Sequence, residues 1–163
     1  KIKKKIFIKR FKSKTINNKL IIKYLRNIKQ KIIVYSGYPG QIIKNENLLN
    51  KKFFLHSHPG KIPKFKGSTT IFYSLLLEKK IFCTSFRLNT KIDSGKIVYE
   101  QRYNLPKNFY KINEYDNKIR AINIFKSLIF LSKKEFKYKR NRIKDKFSDY
   151  YVMHPVLRYI SCK

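Results

Sequence analysis

The chain lacks tryptophan, has one methionine and one alanine, Ala121, and sets only nine acidic residues against 40 lysines and arginines in 163 residues. Its two cysteines, Cys83 and Cys162, are too few and too far apart for a disulfide framework, and no CxxC or zinc-finger spacing exists. A reducing, cytoplasmic setting is the expectation. Long apolar runs are also missing. Nothing approaches the roughly 20 residues that a membrane-crossing helix needs, and the lysine-rich start leads into no signal-like apolar stretch. With only five glycines and five prolines, each of them says something about where the chain bends.

What the chain does have is charge, +31 in formal terms. Such a balance ordinarily points to nucleic acid or an anionic surface. Here Lys, Ile, Asn, Phe and Tyr dominate together, the pattern that A/T-rich codons impose, and the lysines are scattered (Lys1–Lys5, Lys51–Lys52, Lys79–Lys80, Lys133–Lys139) instead of forming one arm. The charge therefore reads first as compositional bias. A phosphate-seeking surface is the second reading, and nucleic acid stays open as a partner.

Lys1–Arg10 alternates isoleucines with lysines and predicts an edge strand with a basic face in water. Thr15–Gln30 carries Ile16, Leu20, Ile21, Tyr24, Leu25 and Ile28 at helical spacing, with Thr15 or Asn17 as the cap. Ile32–Tyr35 has the continuous apolar character of a buried parallel strand. A helical turn at Asn47–Lys52 leads to a strand at Phe53–Leu55. Further on, Gly67 or Ser68 opens a helix to Lys80, and strands follow at Ile81–Asn89 and Ile97–Tyr103. Asn113–Lys133 is one long amphipathic helix whose sheet-facing side includes Ile119, Ile122, Phe125 and Ile129. Basic Lys137–Ser148 reads as mobile, and Tyr150–Ile160 as a docked strand or short helix. Strands alternating with helices predict a single three-layer α/β domain over 1–163 with a mainly parallel sheet.

The chemistry concentrates at LHSHPGKIPKFKG, Leu55 to Gly67. His56 and His58 close an apolar run, and Pro59, Gly60, Pro63 and Gly67 force an irregular loop before the next helix. That helix start favours anionic groups. In an open α/β sheet, ligands bind just past the carboxyl ends of strands. Imidazoles there serve as acids, bases or donors near neutral pH. An HxH pair is also compatible with a purely structural loop or with a metal site. HSHP resembles the start of the JAMM metalloprotease motif, but that register puts Lys66 and Thr69 where the motif needs serine and aspartate. Asp93, in Lys91–Gly95, reads on its own as a turn carboxylate, and Ser36–Ile42, with Gly37, Pro39 and Gly40, as an ordinary turn or a close backbone approach to a ligand.

A longer match runs through HSHPGKIPKFKGSTTIFYSLL and LNTKIDSGKIVYEQ. It resembles the folate-dependent formyltransferases, whose active-site segment is Asn-x-His-Pro-Ser-Leu-Leu-Pro-x-Tyr/Phe-x-Gly, followed by a helix and an Asp-x-Gly loop. The resemblance covers about Ile32 to Tyr103, and the variant His-x-His-Pro-Gly with Gly-Ser-Thr-Thr is similar to a divergent branch. It implies a Rossmann-like formyltransferase fold whose first units are absent ahead of Lys1, leaving an uncovered apolar sheet edge or face. It places the catalytic histidine at His58, the catalytic aspartate at Asp93 and a cis-proline loop at Ile62–Pro63. His56 stands where the family has asparagine. Gly37, Tyr38, Pro39, Gly40 and Gln41 become a wall for N10-formyltetrahydrofolate. Pro59, Gly60, Pro63, Gly67, Ser68 and Thr69 form the substrate-side loop.

The implied activity is formyl transfer to an amine of a small molecule, such as an amino sugar or sugar nucleotide, because nothing after Tyr103 reads as the C-terminal β-barrel of the tRNA enzymes. In that chemistry His58 donates to the oxygen that gains charge, Asp93 orients His58, and His56 replaces an amide donor. Changing His56 to asparagine is then expected to preserve activity. Two other classes remain open: a JAMM-like or other metal hydrolase using His56 and His58, and a non-catalytic basic nucleic-acid-binding protein.

Overall fold

The computed structural model describes residues 7–37, 40–133, 137–138 and 149–163. Four strands, β1 (Ile32–Val34), β2 (Phe53–His58), β3 (Ile81–Arg87) and β4 (Ile97–Tyr103), form one sheet in the order β1-β2-β3-β4. Among the described residues five α-helices accompany them: α1 (Lys19–Asn27), α2 (Glu46–Lys51), α3 (Thr70–Glu78), α4 (Ile112–Leu131) and α5 (Pro155–Ser161). The α/β class is as expected, but β1 and β2 are the one parallel pair, and β2–β3 and β3–β4 are antiparallel. The loop over 88–96 explains part of this, since a parallel crossover needs a dozen or more residues and a shorter link returns the chain antiparallel.

Alternation along the strands separates two faces. Phe54 points to one, where it packs with Leu48 and Leu49 of α2, Ile43, and Ile22 and Leu25 of α1. Ser57, Cys83 and Ser85 point to the other, beneath α4, so the sheet lies between helical layers. A second apolar cluster joins Ile71, Phe72 and Leu75 of α3 to Ile81, Cys83, Ile112, Ile119 and Met153. Among the described residues no helix is long and apolar enough to cross a membrane.

Several local expectations change. Residues 7–10 form no strand, and 1–6 lie outside the described residues. Asn18, not Thr15 or Asn17, caps α1, its side chain accepting from the Leu20 N–H. Thr15 and Asn17 instead bond one another and the 42–44 loop. β1 is parallel but lies at the edge of the described sheet, with Ile32 and Val34 exposed by 41% and 44%. The strand before the loop runs through both histidines, because Leu55 to His58 pair with Arg87 to Thr84. Thr69, at φ 52, stands at the N-cap of α3 in place of Ser68 or Gly67. Of the basic Lys137–Ser148 stretch, 139–148 lie outside the described residues. Tyr150 makes one isolated parallel bridge to Gly67 and α5 follows, so of the two expectations for the C-terminal segment the short helix is the one that forms.

The long helix has the expected extent and packs on the sheet, yet with a different face. Its buried stripe is Ile112, Ile119, Asn123 and Ser127, while Phe125 and Ile129 are 64% and 48% exposed. The sheet beneath offers hydroxyls, so the helix answers with an amide. Asn123 Nδ2 donates to Ser85 Oγ at 2.7 Å and Asn123 Oδ1 accepts from the Tyr103 hydroxyl at 3.2 Å. Ser85 donates to Ser57 Oγ at 3.2 Å, which lies 3.1 Å from Cys83 Sγ. Replacing Asn123 with alanine takes the amide from the buried Ser85 hydroxyl, which keeps only its Ser57 bond, and from the half-buried Tyr103 hydroxyl, each loss costing about 1–3 kcal/mol. A urea-unfolding midpoint should show a loss of at least about 2 kcal/mol, and an unchanged midpoint would refute the network's importance. Burial pushes the Cys83 thiol up to about 12, so iodoacetamide at pH 8 should alkylate the partly exposed Cys162 alone, giving a single adduct by mass spectrometry.

Candidate active site

β2 delivers His58 to the C-terminal end of the sheet, and the loop after it folds back over the ring. His58 is 4% exposed. Its Nε2 lies 2.9 Å from the Phe65 carbonyl oxygen and 3.0 Å from Thr70 Oγ1. That hydroxyl already donates to the Pro59 carbonyl at 2.9 Å. Both partners of Nε2 are therefore acceptors, and Nε2 carries a hydrogen. Nδ1 faces Asp93 Oδ2 at 3.4 Å, with Asp93 itself only 12% exposed in its side chain. This is longer than the roughly 2.7–2.9 Å of a tight charge-assisted bond, so the Nδ1 side is held without being fully engaged. The sequence-expected pair thus meets. Asp93 sits at φ 42 in its turn, and its Oδ2 also accepts from the Gly67 N–H at 2.8 Å.

His56 is placed differently. Its Nδ1 is 3.0 Å from the Tyr35 carbonyl oxygen, an acceptor, so Nδ1 bears the hydrogen and donates. The ring lies edge-on to Phe86, centroids 5.7 Å apart, and tilted against Tyr35. Burial lowers its basicity, opposed by the Tyr35 hydrogen bond, with the nearby His58 lowering it further. Among the described residues no set of three His, Cys, Asp or Glu side chains converges as a metal site.

Both histidines and Asp93 line a cavity of about 530 Å³. Of the residues expected around it, Gly37, Gly40, Gln41, Pro59, Gly67, Ser68 and Thr69 also line it. Tyr38 and Pro39 lie outside the described residues. Gly60 and Pro63 are not on the wall. Gly60 is buried against the Phe65 carbonyl and His58 Nε2, and Pro63 follows the cis Ile62–Pro63 bond that shapes the loop. Gln41 contributes surface only, because its amide accepts from the Ile16 N–H and donates to the Lys14 carbonyl. Reasoning from sequence missed Thr70, which holds His58, and Asn113, Asp116 and Arg120 of α4, which close the cavity. The one available signal was Asp116 and Arg120 spaced i,i+4 in a chain poor in acids. Burial raises the Asp116 carboxyl while Arg120 pulls it down.

The cavity is of a size to hold a small organic molecule. Its volume lies in the range of roughly 300–1,000 Å³ typical of small-molecule sites. One buried polar atom on its wall, the Tyr35 hydroxyl, has no hydrogen-bond partner among the described residues, and Asp116 Oδ1 has the Arg120 guanidinium at 3.4 Å. A Cβ at Gly37 would fall 2.2 Å from that same hydroxyl, so only glycine lets the phenol lie there.

These features define a formyltransferase fold, and solved structures carry it. A sugar N-formyltransferase from Shewanella sp. FDAARGOS_354 superposes with TM-score 0.58 at 14% identity, over 90% of this chain and 64% of that one. HypX from Aquifex aeolicus in complex with tetrahydrofolic acid superposes with TM-score 0.57 at 16% identity, over 86% of this chain and 27% of that one. Sequence likeness agrees: methionyl-tRNA formyltransferase of Pelagibacter ubique (strain HTCC1062) is 33% identical over 82 residues, 49% of this chain and 26% of that protein. In fold, and over 82 residues in sequence, the chain is therefore similar to formyltransferases. The match spans about a quarter of the curated relative's length. No protein-family profile matches the chain.

Proposed function

We propose that the whole protein is an enzyme that moves a formyl group from N10-formyltetrahydrofolate to an amine of a small molecule, an amino sugar or sugar nucleotide. The observation that carries this reading is the buried His58–Asp93 pair on the cavity wall at the end of β2. The folate would supply an activated formyl group, with Gly37, Gly40, Gln41 and the Tyr35 hydroxyl as its wall. His58, pinned through Nε2 by Phe65 and Thr70, would act from its Nδ1 side, carrying a proton there for that step, as the donor to the formyl oxygen as that oxygen gains charge. Asp93 opposite Nδ1 would hold the ring's orientation. Burial strengthens these interactions by excluding water. The small-molecule acceptor is supported by the sugar N-formyltransferase neighbour.

The test is to incubate the protein with N10-formyltetrahydrofolate and glucosamine or a UDP-linked amino sugar, and to look for the N-formyl product by mass spectrometry. Product that depends on His58 supports the proposal. Folate binding without product from any amine would refute the transferase activity.

A further inference from the structure

The two imidazoles in the cavity wall are held in opposite senses. Each nitrogen of His58 faces a protein partner: Nε2 the Phe65 carbonyl and Thr70 hydroxyl, Nδ1 the Asp93 carboxylate. His56 has its hydrogen on Nδ1, committed to the Tyr35 carbonyl at 3.0 Å, and no hydrogen-bond partner at Nε2 among the described residues. A neutral imidazole with its hydrogen on Nδ1 has only a lone pair at Nε2. It cannot donate to an oxyanion there, so it cannot repeat what an asparagine amide does. It can only accept.

We propose that His56 Nε2 is the proton acceptor for the attacking amine, working opposite His58, which donates. This rests on the formyl-transfer reading above. The amine nitrogen bonds to the formyl carbon and its surplus proton passes to His56 Nε2. As the bond between that carbon and the donor's nitrogen breaks, the leaving nitrogen keeps the electron pair and takes a proton from His56, which returns neutral. No net proton, oxidant or reductant is consumed. The surroundings favour this division of labour. The ring is boxed by Tyr35 and Phe86. The charged and titratable groups that bear on it are His58 on its own strand, Asp93 on the 88–96 loop, Arg120 of α4 and the Tyr35 phenol beside β1. Burial first, then His58 and Arg120, favour neutral His56, the state in which Nε2 can accept, and the Tyr35 hydrogen bond and Asp93 only partly offset them.

Two measurements decide it. Nitrogen-15 histidine NMR of the unliganded protein at pH 7 should show His56 as the neutral Nδ1–H form. An Nε2–H tautomer, or a doubly protonated ring, overturns the proposal whatever the activity. In the second, kcat/KM for glucosamine with N10-formyltetrahydrofolate is followed against pH. The wild type should lose activity on acidification along a limb below the ordinary imidazole value. The His56→Asn and His56→Ala variants should lose at least about a hundredfold and the limb with it, and added imidazole should restore part of the alanine variant's rate. If His56→Asn keeps its rate within threefold with the limb intact, the residue is a donor or a spacer and the proposal fails. A wild type that transfers nothing to glucosamine defeats the transferase reading with this acceptor instead. The NMR tautomer then decides by itself whether Nε2 is able to accept.

Discussion

Replacing His58 with alanine is expected to lower kcat for formyl transfer by about a hundred- to a thousandfold, the usual effect of removing one donor to a developing oxyanion. Gly37, Gly40 and the Tyr35 phenol, the wall proposed to face the folate, belong to other segments. Tetrahydrofolate binding, followed by fluorescence titration, should therefore change little, and the loss should fall on kcat and not on KM. The variant will also be less stable, since the Phe65 carbonyl and the Thr70 hydroxyl lose a buried partner. Assays below the variant's melting temperature separate the two effects. A variant that folds, binds tetrahydrofolate and keeps more than a tenth of its rate would remove His58 from the chemistry.

The second large effect is expected at Gly67. Its φ is +95, and a Cβ there would sit 2.3 Å from the Tyr150 carbonyl oxygen. The same residue donates its N–H to Asp93 Oδ2 and bridges the C-terminal segment. Flanking bonds, Ser68 N–H to the Tyr150 carbonyl and Tyr150 N–H to the Lys66 carbonyl, are both 2.8 Å. Gly67→Ala must therefore push the terminal segment off and disturb Asp93 together. Unfolding should be easier by more than about 2 kcal/mol, combining backbone strain of about 1–3 kcal/mol with the lost contacts. Trypsin should cut near Arg158 sooner, and transfer should fall with stability. Gly40→Ala is the control: φ is +77 there but nothing lies within 4 Å of the added carbon. If both variants lose equally, the close approach at Tyr150 contributes nothing.

Much of this was legible from one dimension. The positions of β2, α3, β3, β4 and α4 follow from apolar spacing and the few glycines and prolines. The meeting of His58 with Asp93 was anticipated from their register in a familiar motif. Side-chain period was less reliable about which face is buried. Phe125 and Ile129 of α4 look like core residues and stand in water, whereas Asn123 and Ser127 look like surface residues and are fully buried. Hydrophobicity alone has no way to register that the sheet beneath α4 presents Ser57 and Ser85, whose hydroxyls reward an amide over a methyl group.

The protonation of the site depended on the folded chain in the same way. His56 and His58 differ by two positions and are chemically identical in the sequence, and the motif invited the view that His56 is a substitute amide donor. Only folding brings the Tyr35 carbonyl to one nitrogen of His56, and the Phe65 carbonyl, Thr70 hydroxyl and Asp93 carboxylate around His58. Local pattern was enough to say where strands, turns and reactive side chains fall, because backbone preference and apolar period act over a few residues. Strand direction, the polar face of α4 and the tautomer of each imidazole were settled by partners distant in the chain, since a hydrogen bond depends on which atom arrives and not on which residue comes next.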